Sequence, residues 1–324
     1  MENMEIALAN KAIIVTGGTG FIGSNLVTEL VRQKARVIVI DIENDPNSLF
    51  SINKLEGKAI FRKTDIRNGK ELLRIFKEYT PDYIFHTAAI TIVPYAYANP
   101  LETFESNLIG TVNVLEAARK VKNLKAIVVA SSDKSYGKLK KKKYLEDDAL
   151  RGDHPYDVSK SCTDLISQSY FVTYNLPITI SRFGNVYGEG DLNFSRIIPG
   201  AIKSIIENKT LEIRSNGEYV RDYLYVRDVI EGYLQLAQNI KKTKGEAFNF
   251  GSSETLSVFE VLKIVEKTLK KKVFCKVLDT AVNEIPYQSL DYTKAKKQLG
   301  WKPKFTIEKV LPDIFDYYKK ILKV

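Results

Sequence analysis

Cysteine, histidine, methionine and tryptophan are nearly missing from this chain of 324 residues, which holds two, two, two and one of them. Two cysteines, Cys162 and Cys275, supply neither a disulfide framework nor a structural zinc site. With two histidines and no clustered cysteine or acidic ligands, no metal site is expected. No apolar run approaches the roughly 20 residues of a membrane span, and the opening stretch MENMEIALAN lacks a signal-peptide pattern. These absences point to the cytoplasm and away from a membrane. Scarce cysteine and methionine beside abundant lysine fits a thermophile, and equally a base-composition bias.

What remains is an ordinary folded composition, 44% hydrophobic and 27% charged. The 49 Lys+Arg exceed the 39 Asp+Glu by +10. Such an excess suits a nucleic acid, an anionic membrane or a phosphorylated small molecule. The lysines are scattered except in KLKKKK, Lys138 to Lys143, which precedes Tyr144-Leu145 and the acidic Glu146-Asp147-Asp148. That pattern describes a solvated loop, and no nucleic-acid partner is expected.

Short apolar runs alternate with amphipathic stretches through the first half. KAIIVT, RVIVID, AIFRKT, YIFHTA, AIVVAS and ITISRF have the continuous apolar character of strands buried on both faces. Helical patterns lie between them, at Gly20 to Gln33, Lys70 to Tyr79, Leu101 to Lys120 and Tyr156 to Tyr174. This order predicts an α/β fold with a doubly wound parallel sheet. After Arg182 the rhythm changes to Gly-rich loops and shorter elements, which predicts a smaller C-terminal lobe. The boundaries expected are 1–184 with about 226–251 for the large domain, and 185–225 with 252–324 for the small lobe. No internal repeat or low-complexity linker separates them.

TGGTGFIG, Thr16 to Gly23, follows the first strand and opens the first helix. Gly17, Gly20 and Gly23 permit a tight turn, close approach of backbone to a pyrophosphate, and close packing of helix on strand. The helix N-terminus, with Phe21 and Ile22, offers free N–H groups to the phosphates. Asp41 ends the second strand, where a carboxylate can bind both ribose hydroxyls. Ile42 and Glu43 follow it without an arginine, which favours NAD over NADP. Asp65 and Ile66 follow the third strand and can sit near the adenine, or Asp65 can be a turn or capping residue. Thr87, Ala88 and Ala89 end the fourth strand with small side chains that leave a cofactor room.

Tyr156 and Lys160 are four apart, so on a helix they share one face. Ser132 ends the run AIVVAS, followed by Asp133-Lys134 within SSDKSYG. A Ser, a Tyr and a Lys brought together can remove a sugar hydroxyl proton while a nicotinamide takes a hydride. A free phenol ionises at about 10, so Tyr156 needs nearby positive charge, and Lys160 together with the cationic nicotinamide would lower its pKa. Asp133 and Lys134 are not needed for that oxidation.

With TGGTGFIG, HTAA (His86 to Ala89), ESNLIGT (Glu105 to Thr111), YDVSK and RFGNVYG (Arg182 to Gly188) in order, the chain resembles the extended short-chain dehydrogenase/reductases. These include the NAD-dependent nucleotide-sugar epimerases and dehydratases. The resemblance runs from about Lys11 to Tyr318 and implies a Rossmann-type NAD domain with a nucleotide-sugar-binding lobe. SSDKSYG, LRGDHPYDVSKS, GNVYGEGDLNFSRIIP and EYVRDYLYVRDVIEGYLQLA are most similar to the CDP-glucose 4,6-dehydratase type. ITIVPYAYANP, Ile90 to Pro100, departs from that type, which has a pair of arginines there, and the chain is somewhat shorter.

The resemblance implies that Tyr156 takes the proton of the sugar 4-OH, Ser132 orients that hydroxyl, and Lys160 also binds the nicotinamide ribose. It assigns Asp133 as the acid to the 6-OH and Lys134 as the base at C5. Asn185, Arg196 and Arg221 match positions that hold the nucleotide diphosphate, with surface pairing to Asp222 as the competing role of Arg221. Tyr187, Arg227, Tyr287 and His154 are weaker candidates. Asn107 is a cofactor-side candidate, although it and Glu105 can instead hold helix and strand ends. A homodimer through the helices Leu101 to Lys120 and Tyr156 to Tyr174 is implied as well. The function expected is a nucleotide-sugar 4,6-dehydratase acting on CDP-glucose. The alternatives are a 4-epimerase, in which Asp133 and Lys134 form a strand-end salt bridge, and a non-catalytic NAD-binding regulator.

Overall fold

The β-branched runs form seven parallel strands: β1 Ala12–Thr16, β2 Arg36–Asp41, β3 Ile60–Lys63, β4 Tyr83–His86, β5 Ala126–Ala130, β6 Ile178–Phe183 and β7 Ala247–Phe250. Their spatial order is β7-β6-β5-β4-β1-β2-β3. The computed structural model describes residues 8–281 and 284–323. Residues 1–7, part of the N-terminal stretch considered above, lie outside the described residues.

Alternate residues of each strand point to opposite faces, and both faces are apolar. Ile13, Val15, Val37, Val39 and Val128 pack with helix Phe21–Arg32 and helix Val226–Gln238. Ile14, Ile38, Ile40, Ile84, Ile127 and Ile180 pack with helix Gly69–Tyr79 and helix Gly110–Ala118. The chain leaves β1 toward β2 on one side, while β4 returns on its other side. Between β1 and β4 lies the crevice at which such sheets bind ligands, beyond the carboxyl ends of the strands.

The helix predicted over Leu101 to Lys120 is interrupted. Pro100–Phe104 is α-helical, Glu105–Ile109 opens into a π turn, and Gly110–Ala118 resumes the α-helix. A side chain at Gly110 would collide with Ile66, 2.5 Å from its Cβ position, so this face packs closely. The wide turn carries Asn107 inward, where its amide clamps both backbone groups of Ile90 and bonds Ser159. Helix Pro155–Tyr174 begins one residue before the predicted Tyr156.

Val226–Gln238 and β7 complete the large sheet layer from late in the chain. A second sheet contains Thr255–Ser257, Val220–Tyr225, Tyr287–Leu290 and Lys143–Tyr144, with Asn185–Tyr187 paired to Val220–Tyr225. The lysines of Lys138 to Lys143 are exposed, yet Tyr144 at the end of the run is fully buried. The basic loop is therefore sewn into the second sheet at its acidic end.

Arg182 and Asp164 form a bidentate pair inside the protein, at 2.7 and 3.0 Å, with both side chains nearly inaccessible. The same guanidinium donates to the Tyr136 hydroxyl at 2.6 Å, which donates to Asn249 Oδ1 at 2.7 Å. Breaking a buried pair by removing one partner strands the other charge, at a cost of about 3–5 kcal/mol. Asp164→Ala is expected to lose about that much stability in guanidinium unfolding at neutral pH. A loss below about 1 kcal/mol would show that the pair contributes no more than a surface bridge.

Candidate active site

The glycine turn closes against β4. Gly17 has φ +71°, and a Cβ there would stand 2.7 Å from the backbone of Ala88. At Gly23 a Cβ would stand 1.9 Å from the Gly17 carbonyl oxygen, so only glycine lets the helix approach the turn this closely. Gly20 caps helix Phe21–Arg32 and no side chain covers the first-turn N–H groups. They open on a cavity of about 1210 Å³ lined by Gly17, Gly20, Phe21, Ile22, Gly23, Asp41, Asp65, Ile66, Thr87, Ala88 and Ala89.

Asp41 accepts the Thr19 N–H at 3.0 Å and the Thr19 hydroxyl at 2.6 Å on one oxygen, and the Ile42 N–H at 2.8 Å on the other. Burial raises its pKa against those three bonds. A carboxylate has about four acceptor sites, so capacity is left for ribose hydroxyls. The bare helix terminus, the two glycine contacts and this carboxylate fit a dinucleotide without a 2′-phosphate. Asp65 is paired with Arg67 at 2.6 Å and is not the cap of the next helix, which is Asn68. Asn107 is absent from the cavity wall, because its amide is fully engaged in clamping Ile90 and Ser159. It supports the wall at Ile90. Glu105 is exposed, 3.6 Å from Arg67.

Ser132, Asp133, Lys134, Tyr156 and Lys160 line the same cavity. Ser132 caps the 3-10 turn Asp133–Tyr136, accepting the Lys134 N–H at 3.2 Å and donating to Asp133 Oδ1 at 3.0 Å. Lys160 Nζ donates to the Ala130 carbonyl at 2.8 Å, joining the helix to the end of β5. Lys134 Nζ donates to Gln288 Oε1 at 2.6 Å, and no Asp133–Lys134 ion pair forms among the described residues. The strand-end salt bridge considered as a structural role for this pair is thus not the arrangement found.

Enclosure sets the protonation energies of these groups. Tyr156 is pushed up to about 12, chiefly by burial, against the lowering influence of the Ser132 hydroxyl beside it. In the protein alone burial outweighs the cation that acts on it most, which is Arg196 and not the expected Lys160. Lys160 is itself lowered to about 8 by burial. Lys134 is half-buried, and desolvation lowers its pKa against the attraction of Asp133.

Asn185, Arg196 and Arg221 also line the cavity. Arg196 pairs with buried Asp191 at 3.0 Å. Arg221 pairs with Glu284 at 3.1 Å, not with Asp222, whose carboxylate accepts from Leu290 N and the Thr255 hydroxyl. Tyr187 lines the cavity with a buried hydroxyl that has no partner among the described residues. Arg227, Tyr287 and His154 lie off the wall: Arg227 is near Glu189 at 3.8 Å, Tyr287 lies under Lys142, and His154 packs edge-on to Tyr97.

Two residues escaped the sequence reading. Asp157 lines the cavity beside Tyr156, and burial raises its carboxyl to about 6 against the pull of Lys134. The only signal was its place next to the tyrosine, where a first-turn acid on a helix is commonplace. Gln288 gave no signal, because its strand reaches the site only through tertiary pairing.

A family model described as GDP-mannose 4,6 dehydratase matches residues 14–314. A CDP-glucose 4,6-dehydratase of Salmonella typhimurium is 32% identical over 333 residues, covering 95% of this chain and 90% of that protein. The solved structure of a UDP-glucose 4-epimerase from Thermotoga maritima with UDP-glucose is similar at TM-score 0.87 and 29% identity, covering 96% and 99% of the two chains. A dTDP-glucose 4,6-dehydratase from Bacillus anthracis, in complex with NAD, is similar at TM-score 0.83 and 28% identity, covering 96% and 97%. The glycine turn, the Ser-Tyr-Lys group and the match across most of the chain lead to one conclusion: this protein belongs to the GDP-mannose 4,6 dehydratase family, the NAD-dependent nucleotide-sugar dehydratases and epimerases.

Proposed function

We propose that the chain is an NAD-dependent nucleotide-sugar 4,6-dehydratase of the CDP-glucose type, working in the cytoplasm. The observation that carries this reading is the presence of Asp133 and Lys134 on the same cavity wall as Ser132, Tyr156 and Lys160. Oxidation and reduction at one carbon requires no further acid or base. Loss of water requires both.

When bound, NAD supplies a hydride acceptor for C4 of the hexose and a hydride donor for C6. Ser132 holds the 4-OH, and Tyr156 takes its proton. With its pKa near 12 in the protein alone, Tyr156 requires positive charge brought into the cavity before it can do so. Lys160 would hold the nicotinamide ribose, and the cationic ring beside it would be one such charge. The 4-ketone acidifies C5–H. Lys134 takes that proton, the electron pair forms the C5–C6 double bond, and the 6-OH leaves as water with a proton from Asp133. Burial favours a neutral Lys134, which is the form a base needs. Arg196, Arg221 and Asn185 hold the nucleotide diphosphate, Arg through its planar fork.

The cytidine assignment follows the Salmonella typhimurium relative. A 4-epimerase is the second reading, favoured by the similarity to the Thermotoga maritima structure. It would use Ser132, Tyr156 and Lys160 alone. The homodimer forms through the two helical segments that carry Leu101, Ile109, Leu165 and Val172, apolar side chains that are 71%, 53%, 53% and 79% exposed.

Incubation with CDP-, dTDP-, GDP- and UDP-hexoses is expected to give a 4-keto-6-deoxy product from CDP-glucose, detected as water loss by mass spectrometry. A panel that returns only C4 epimers overturns the dehydratase reading. Lys134→Ala is expected to slow water loss by about 10²–10⁴-fold while bound NADH accumulates from C4 oxidation. An unchanged dehydration rate removes Lys134 as the base. Leu165→Glu with Val172→Glu is expected to convert a dimer to a monomer in analytical ultracentrifugation, and an unaltered dimer places the interface elsewhere.

A further inference from the structure

We propose that Gln288 is the positioning residue for Lys134, a neutral acceptor that fixes the amine for proton removal without pinning it as a cation. The proposal rests on the dehydratase reading above. It begins from how completely the Gln288 amide is used. Its Oε1 accepts from Lys134 Nζ at 2.6 Å, and its Nε2 donates to the Asp133 carbonyl at 2.8 Å. One side chain thus grips two successive residues of the catalytic turn, from a strand more than 150 residues away in sequence. The two bonds also fix which end of the amide meets the lysine, since Nε2 cannot accept from it.

The support is rigid. Gln288 is 1% exposed, and its strand Tyr287–Leu290 is paired on one side to Val220–Arg221, with Arg221 opposite Gln288, and on the other to Lys143–Tyr144. Asp222 accepts the Leu290 N–H at 2.8 Å and ties the strand down two residues further on. A lysine stem has four rotatable bonds and ordinarily keeps much freedom. Here its end is captured by an acceptor that the sheet holds still.

The choice of amide over carboxylate has a consequence. The groups facing Lys134 are Asp133 on its own turn, Asp157 on helix Pro155–Tyr174, Arg221 on strand Val220–Tyr225, and Glu284 ahead of strand Tyr287–Leu290. Three of the four are acidic, yet the cost of burial prevails and the amine is held below its ordinary range. A carboxylate in hydrogen-bond contact would add a close opposite charge, which favours the ammonium by roughly 1–3 pH units. Glutamate is nearly isosteric with glutamine, so steric fit alone would accept either. The neutral residue adds no such stabilisation of the ammonium and so favours the free amine that a base needs.

The test uses the full chain loaded with NAD, with [13C]lysine labelling and the Lys134 resonance identified by its loss in Lys134→Arg. Gln288→Glu is expected to raise the Lys134 titration midpoint by roughly 1–3 pH units and to carry the acid limb of the dehydration rate upward with it. A folded Gln288→Glu variant whose Lys134 titrates at the wild-type midpoint overturns the proposal. Gln288→Met covers the case in which the glutamate variant does not fold. It is expected to slow water loss while C4 oxidation, read as bound NADH, continues. A wild-type ratio of the two rates in Gln288→Met overturns the proposal. Should wild-type protein dehydrate no hexose, the dehydratase reading fails, whereas the NMR titration still decides the Gln288–Lys134 pairing.

Discussion

The buried pair of Arg182 and Asp164 stands where the three elements of the site meet. Arg182 belongs to β6, Asp164 to the helix that carries Tyr156 and Lys160, and the Tyr136 hydroxyl that Arg182 also reaches closes the Asp133–Tyr136 turn. A guanidinium in the interior must have nearly all its N–H groups satisfied. Five such groups in a rigid plane dictate where the partners stand. The Glu146 carbonyl, at 3.0 Å, and Asn249, through Tyr136, extend the same demand to the basic loop and to β7. The relative placement of turn and helix, and hence of Ser132 against Tyr156, is tied to this one charge.

Around it, a single physical cause acts on every ionisable group of the cavity. Burial disfavours charge, so acids rise and bases fall: Tyr156 to about 12, Asp157 to about 6, Lys160 to about 8, and Lys134 downward. The protein by itself thus leans toward neutral forms. For Lys134 that lean suits a base. For Tyr156 it opposes the phenolate, and the charge that favours ionisation has to arrive with ligands.

The strands were legible because both faces of the sheet are covered, so each run is apolar without alternation. The glycine turn was legible because Gly17 and Gly23 meet backbone at distances no side chain tolerates. The helix over Leu101 to Lys120 was legible in extent but not in its π turn at Glu105–Ile109, after which Gly110 packs closely on Ile66. The clamp of Asn107 on Ile90 and Ser159, within that turn, was not legible either. The burial that raises Tyr156 in the protein alone was not legible, because spacing reports the neighbour, Lys160, and not the surrounding low-polarity volume.

By itself, the sequence determined the order of strands and helices, the dinucleotide turn, and the local chemistry of Ser132, Asp133, Lys134, Tyr156 and Lys160. These depend on periodicity and near-neighbour spacing, which a linear chain displays. Only the tertiary structure decided what those groups touch. Gln288 beneath Lys134, Glu284 against Arg221 and Asp157 in the cavity come from segments brought together by sheet pairing and burial. Contacts of that range are set by the closing of the whole core, and no local pattern carries them.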